Sequence, residues 1–168
     1  NPDEDHYYLN LGRSYLEQAK GTDNNLEQDE LIRKAEETLK EAQRVNPLNT
    51  DHTANLGRLY SWWASIATNQ TEYNRRAIIS SGYYGLTTQL SPNNPTLLGE
   101  WAMLYLKILS DSEEALQRWQ HAISLDDQYN YTQGLMGDYY TYIAHGETEN
   151  QAKVIALKQA ERYYIDAA

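Results

Sequence analysis

The segment Leu11-Gly-Arg-Ser-Tyr-Leu-Glu-Gln-Ala19 returns at 56–64 as Leu-Gly-Arg-Leu-Tyr-Ser-Trp-Trp-Ala, forty-five residues later. The same step carries Asn1-Pro2 to Asn46-Pro47 and Pro47 to Pro92. A third copy keeps Ala102 and Tyr105 in this register, and a fourth keeps Gly137, Tyr140 and Ala144. A chain that writes one unit four times is built from copies of a single supersecondary element, each burying its apolar face against the next. No other feature of the 168 residues constrains the fold as strongly.

Each unit reads as two amphipathic helices, because apolar or small residues recur at three- and four-residue steps in YYLNLGRSYLEQA and again in LIRKAEETLKEAQRV, with turn residues between. The second halves share their own register: Ala35, Leu39, Ala42 and Pro47; Ser80, Tyr84, Thr87 and Pro92; Ala115, Trp119, Ala122 and Asp127; Ala160, Tyr164 and Ala167. Gly12, Gly57, Ala102 and Gly137 are small where the two helices of a hairpin must touch, since a larger side chain would push them apart. Pro47 and Pro92 stop the second helix, because proline has no N–H and clashes with the preceding turn. Asp127 stands in the place of that proline in the third unit.

This pattern of Leu-Gly, Tyr, Ala, aromatic, Ala and Pro resembles the tetratricopeptide repeat (TPR) over nearly the whole chain. The resemblance implies an all-α, right-handed superhelix of about four helical hairpins, about eight helices in all. The expected organisation is a single domain over 1–168, with repeats at about 5–49, 50–94, 95–129 and 130–168, as a fragment of a longer protein. One departure is systematic. The step between the small residues of the two helices is 23 from Gly12 to Ala35, Gly57 to Ser80 and Gly137 to Ala160, but 13 from Ala102 to Ala115. Three hairpins therefore carry about ten extra residues and are expected to be elongated, by roughly 7 Å per helix.

Composition narrows the partners. A formal charge of −10 without any cluster of Lys and Arg argues against binding to a nucleic acid backbone and disfavours an anionic membrane surface. No run of apolar residues approaches a membrane span, so no direct membrane insertion by this segment is expected. Fifteen Tyr and four Trp with no Phe point to rings that are apolar on one side and wet on the other. The four His lie at four different places in the repeat, without HExxH, cysteine or a nucleophile elbow. Catalysis is not expected, nor any cofactor or metal; acids beside His6 and His52 are read as helix-start carboxylates rather than ligands. Asn69-Gln-Thr and Asn130-Tyr-Thr are formal glycosylation sequons.

In the resembled family the first helices line a concave groove. Its facing positions here are Leu9 and Arg13, Ala54 and Arg58, Gly99 and Met103, Gly134 and Asp138, which do not match the Lys and Asn clamp for carboxylate-ended peptides. Arg13, Arg58, Trp62, Met103, Tyr131 and Asp138 are the candidate binding residues on that face. Two guanidinium groups at equivalent places suit a bidentate grip on a carboxylate or phosphate. The plainer reading, preferred here, pairs Arg13 with Glu17 and stacks Arg58 on Trp62. Trp62, Trp63, Tyr131, Tyr139 and Tyr142 suit either stacking on sugar or peptide or, preferred here, packing between repeats.

At a finer level, NPLNTDHTANLGRLYSWWA and LSPNNPTLLGEWAMLY resemble the TPR region of bacterial O-antigen ligase or polymerase-like membrane proteins. That resemblance implies a noncatalytic protein-binding or assembly module, the extracytoplasmic or periplasmic part of a membrane-anchored, glycan-related envelope protein, with protein or peptide partners. A glycan-binding accessory domain is the alternative. The closing AERYYIDAA is expected to leave an apolar face for a further helix or for self-association.

Overall fold

The computed structural model describes residues 4–127 and 129–168. All the regular structure among them is helical: α1 Glu4–Gly21, α2 Asn25–Val45, α3 Thr50–Ser65, α4 Gln70–Leu90, α5 Pro95–Leu104 running into a π-helical turn Tyr105–Leu109, α6 Ser112–Leu125, α7 Asn130–Gly146 and α8 Asn150–Asp166. Successive helices pair as four hairpins, α1 with α2, α3 with α4, α5 with α6 and α7 with α8. The single domain expected from the register divides after Pro92 into two compact units of two hairpins each.

The helix starts follow from the sequence. Asn24, Asn49, Asn69, Asn94 and Asp111 sit just before α2 to α6, and each side chain accepts a hydrogen bond from a backbone N–H of the first turn. Pro95 occupies the first turn of α5, where its missing N–H costs nothing. α2 and α4 stop just before Pro47 and Pro92, at Val45 and Leu90. α6 stops at the matching place without proline, Asp126 closing it through an N–H to the Ala122 carbonyl.

The repeated small residues are the contact points. A Cβ added at Gly12 would lie 2.7 Å from Leu39 Cγ, one at Gly57 3.2 Å from the Tyr84 ring, and one at Gly137 2.5 Å from the Tyr164 ring. Each partner stands 27 residues after its glycine. In the third hairpin Ala102 and Trp119, 17 residues apart, are both fully buried in one core cluster with Ala115. The difference of ten is the insertion, so inserted residues lengthen the hairpin beyond the contact without displacing it.

The lengthening is uneven. α2 and α4 have 21 residues against 14 in α6, about 10 Å more helix at 1.5 Å per residue. Their partners α1 and α3, with 18 and 16 residues, barely exceed the 10 of α5 plus the 5 of its π-helical turn. That turn ends on Ser110 at φ 56°, and the Asp111 N–H bonds the Tyr105 carbonyl at 2.9 Å, a left-handed cap that lets α6 start at once.

In the first unit the core joins Leu9, Leu16 and Ala19 of α1, Ile32, Ala35, Leu39 and Ala42 of α2, and Leu56 and Leu59 of α3. In the second it joins Ala102 and Leu106, Ala115 and Trp119, and Leu135, Met136 and Tyr139.

Candidate functional site

The candidate residues fall into two groups, one per unit. Arg13 on α1 is exposed, and Arg58 on the neighbouring α3 is half-buried at the same register. Glu17, the sequence-based partner for Arg13, bonds Lys20 at 2.8 Å instead. Trp62 packs against the core of the first unit, as does Trp63. In the second unit Met103 packs against the Trp119 core, Tyr131 is exposed with its ring 6.0 Å from that of Tyr129, and Asp138 accepts a hydrogen bond from the Tyr164 hydroxyl at 2.8 Å. Asp138 is thus tied to the second helix of its own hairpin.

A polar constellation that the sequence reading missed holds the first two hairpins together. Asp5 in the first turn of α1 is buried, and its carboxylate accepts from His52 Nε2 at 2.9 Å and from Asn46 Nδ2 at 2.9 Å. These hydrogen bonds, His52 first and Asn46 next, hold the Asp5 carboxyl well below the usual carboxylate range against the opposing effect of burial. The carboxylate fixes a proton on His52 Nε2, while the buried Nδ1 has no partner. The sequence reading set His52 beside Asp51. A helix turns about 100° per residue, however, so Asp51 points to solvent while His52 is buried. The available signal was a polar side chain inside an otherwise buried stretch, 52–57, which must find a partner somewhere.

Two arginines stack on tryptophans. Arg76 lies 4.3 Å from the Trp63 ring centroid, donates to the Trp63 carbonyl at 3.0 Å and pairs with Glu72 at 3.2 Å. Arg118 lies between Trp101 and Tyr105, 4.0 Å from each ring, and is held by the carbonyl and carboxylate of Glu114. Both guanidinium groups are thereby fixed in place.

Beside Trp63, the tips of the first two hairpins enclose a cleft of about 260 Å³, lined by Asn25, Gln28, Asp29, Trp63, Thr68 and Asn69, with Ile66, Glu72 and Arg76 completing it. Apart from Trp63, every one of these residues lies within the two inserted stretches or beside them. Asn69, the sequon asparagine, uses its side-chain oxygen to cap α4. The mixture of amide, hydroxyl and carboxylate groups around one indole edge suits a small neutral polar group, and Asp29 and Glu72 disfavour an anion. The aromatic edge here is Trp63, not Trp62.

Among the described residues no group of three or more His, Asp or Glu stands where it could hold a metal ion. No helix among them is long and apolar enough to cross a membrane.

No family model matches the chain, and no curated protein matches it. Solved structures do. TTC0263, a thermophilic TPR protein in Thermus thermophilus, is similar over 99% of this chain and 82% of its own, with a TM-score of 0.70 and 16% identity. MamA MSR-1 C2 is similar over 99% of both chains, with a TM-score of 0.54 and 12% identity. The chain therefore has an all-α fold of the TPR kind.

Proposed function

We propose that this chain is a noncatalytic protein-binding scaffold whose first helices present the binding face. The observation that carries the reading is the placement of Arg13 and Arg58 at the same register on the adjacent helices α1 and α3. Paired guanidinium groups suit a peptide with carboxylate or phosphate groups, since each fork donates two parallel hydrogen bonds. The packed hairpins supply a rigid support, so little ordering of the protein opposes binding. Selection from a displayed peptide library tests it. Acidic peptides that bind saturably, and whose binding weakens about tenfold in Arg13→Ala and Arg58→Ala, support the reading; enrichment of no peptide refutes it.

At the finer level the chain is an extracytoplasmic module of a membrane-anchored, glycan-related envelope protein. The support for this is the sequence resemblance of 46–64 and 90–105 alone. The complete reading frame tests it: apolar spans encoded beyond these residues are expected, and a parent without them refutes it.

A second reading, a glycan-binding accessory domain, is favoured by the cleft at Trp63. Its volume of about 260 Å³ is below the roughly 300–1,000 Å³ of clefts for drug-sized ligands. It therefore suits a single sugar ring set against the indole. Saturable binding on a glycan array, lost in Trp63→Ala and retained in Trp101→Ala, supports this reading, and silence on the array removes it.

A further inference from the structure

The cleft at Trp63 owes its walls to the insertions. α2 and α4, with 21 residues each, are the long second helices of two hairpins consecutive in the chain, whereas the third hairpin lacks the insertion and its α6 has 14. Asn25, Gln28 and Asp29, spaced by three and four residues, share one face at the start of α2. Asn69, Glu72 and Arg76, at steps of three and four, share one face at the start of α4. Both faces line the cleft, together with Trp63 and Ile66 from the end of α3.

Hydrogen bonds made within the protein separate the occupied groups of this lining from the open ones. Arg75 holds the two Glu72 oxygens at 3.2 and 2.7 Å, and Arg76 shares the second of them at 3.2 Å. Arg76 in turn donates to the Trp63 carbonyl and covers the indole ring. Asn69 turns its side-chain oxygen to the Glu72 N–H, which leaves its amide hydrogens open. Gln28 gives an amide hydrogen to the Ala19 carbonyl, which leaves its oxygen open. The side chains of Asn25, Asp29 and Thr68 bond no other described residue. Since Glu72 and Arg76 neutralise each other, Asp29 is the charge in this lining that lacks a counter-charge among the described residues.

We propose that the cleft takes an amino sugar with a free amine, its ammonium group on Asp29 and its hydroxyl groups on Asn25, Thr68 and Asn69. The inference rests on the glycan reading above and names the class of sugar. A neutral hexose brings no counter-charge to Asp29, and an N-acetylated sugar brings none either. A uronic acid sets a second carboxylate against it. A primary ammonium supplies the missing charge and three donors on one atom, while the open amide and hydroxyl groups, which together donate and accept, suit the neutral remainder of the ring. Asp29 is exposed, so its charge pair adds modest selectivity rather than tight binding, and a single ring of this size dissociates at about millimolar concentration.

NMR titration of the isotopically labelled chain with glucosamine, glucose and N-acetylglucosamine at about pH 6, where such an amine is protonated, tests the proposal. Glucosamine should shift the signals of the cleft residues saturably and bind about fivefold more tightly than either neutral sugar, the difference shrinking as salt is added. Asp29→Asn should bring glucosamine down to the level of glucose; the position is exposed, so far-UV circular dichroism should be unchanged. Equal binding of all three sugars at Trp63 overturns the proposal and leaves the glycan reading standing, whereas saturation by none of them at about 0.1 M removes both. A preference that survives Asp29→Asn also overturns it. So does equally tight binding of Nα-acetyl-lysine amide, which would assign the cleft to a lysine side chain of a protein instead.

Discussion

Gly12→Ala places a methyl group where α1 and α2 already touch. Its Cβ would lie 2.7 Å from Leu39 Cγ, 2.8 Å from Leu39 Cδ2 and 3.3 Å from the Ala35 carbonyl oxygen. Carbon atoms prefer about 3.5–4.0 Å, so the helices must separate or Leu39 must leave its rotamer. Leu39 is fully buried and Ala35 contributes backbone, so neither yields freely. Overpacking of this kind costs about 1–3 kcal/mol, offset by about 0.5–1 kcal/mol from replacing glycine inside a helix. From the middle of both ranges the net expectation is a loss of about 1 kcal/mol. Gly82→Ala, inside α4, is the matched control: nothing lies within 4 Å of its Cβ, so only the helix gain of about 0.5–1 kcal/mol remains. Urea denaturation followed by circular dichroism should therefore move in opposite directions for the two variants. A Gly12→Ala protein as stable as the wild type would refute the assigned contact.

Arg118→Ala should cost about 1–2 kcal/mol, because it removes a half-buried cation and its aliphatic stem from between Trp101 and Tyr105; Arg118→Lys should recover only part of this, as read by urea midpoints. Burial first, then the hydrogen bond to Glu36, pushes the Tyr60 hydroxyl well above its usual value. Its contribution to stability is thus complete below about pH 10 and falls as pH rises beyond that. Denaturation midpoints at alkaline pH should fall less steeply for Tyr60→Phe than for the wild type. Asp5 behaves oppositely: its depressed carboxyl contributes fully above about pH 3.9 and loses that contribution only as pH falls below it. Asp5→Asn should lower stability at neutral pH and flatten the acid limb of the stability curve; an unchanged limb would show that the His52 bond does not hold the carboxylate.

The hairpin register was legible because it rests on side-chain size: Gly12, Gly57 and Gly137 announce close contact, and their partners 27 residues later follow once the helices are aligned. The insertions were legible as length, but not their distribution. Whether ten residues lengthen one helix or both depends on where the turn caps fall, and Asn24 and Asn69 place most of the extra length on α2 and α4. The π-helical turn before Ser110 left no trace in periodicity, since it changes the winding of only five residues. Asp5 and His52 are 47 residues apart, and only tertiary packing brings them together. Of the two neighbouring tryptophans, one residue step of helical rotation decides that Trp63 rather than Trp62 borders the cleft, an angle too fine for the repeat alignment to fix.

The most direct test of the scaffold account is the NMR footprint of a selected acidic peptide on the isotopically labelled chain. Saturable shifts concentrated on α1 and α3 around Arg13 and Arg58, and absent from Asp29 and Thr68 at the hairpin tips, are the expected result. Shifts confined to the tips around Trp63, or none that saturate, would contradict the assignment of the first helices as the binding face.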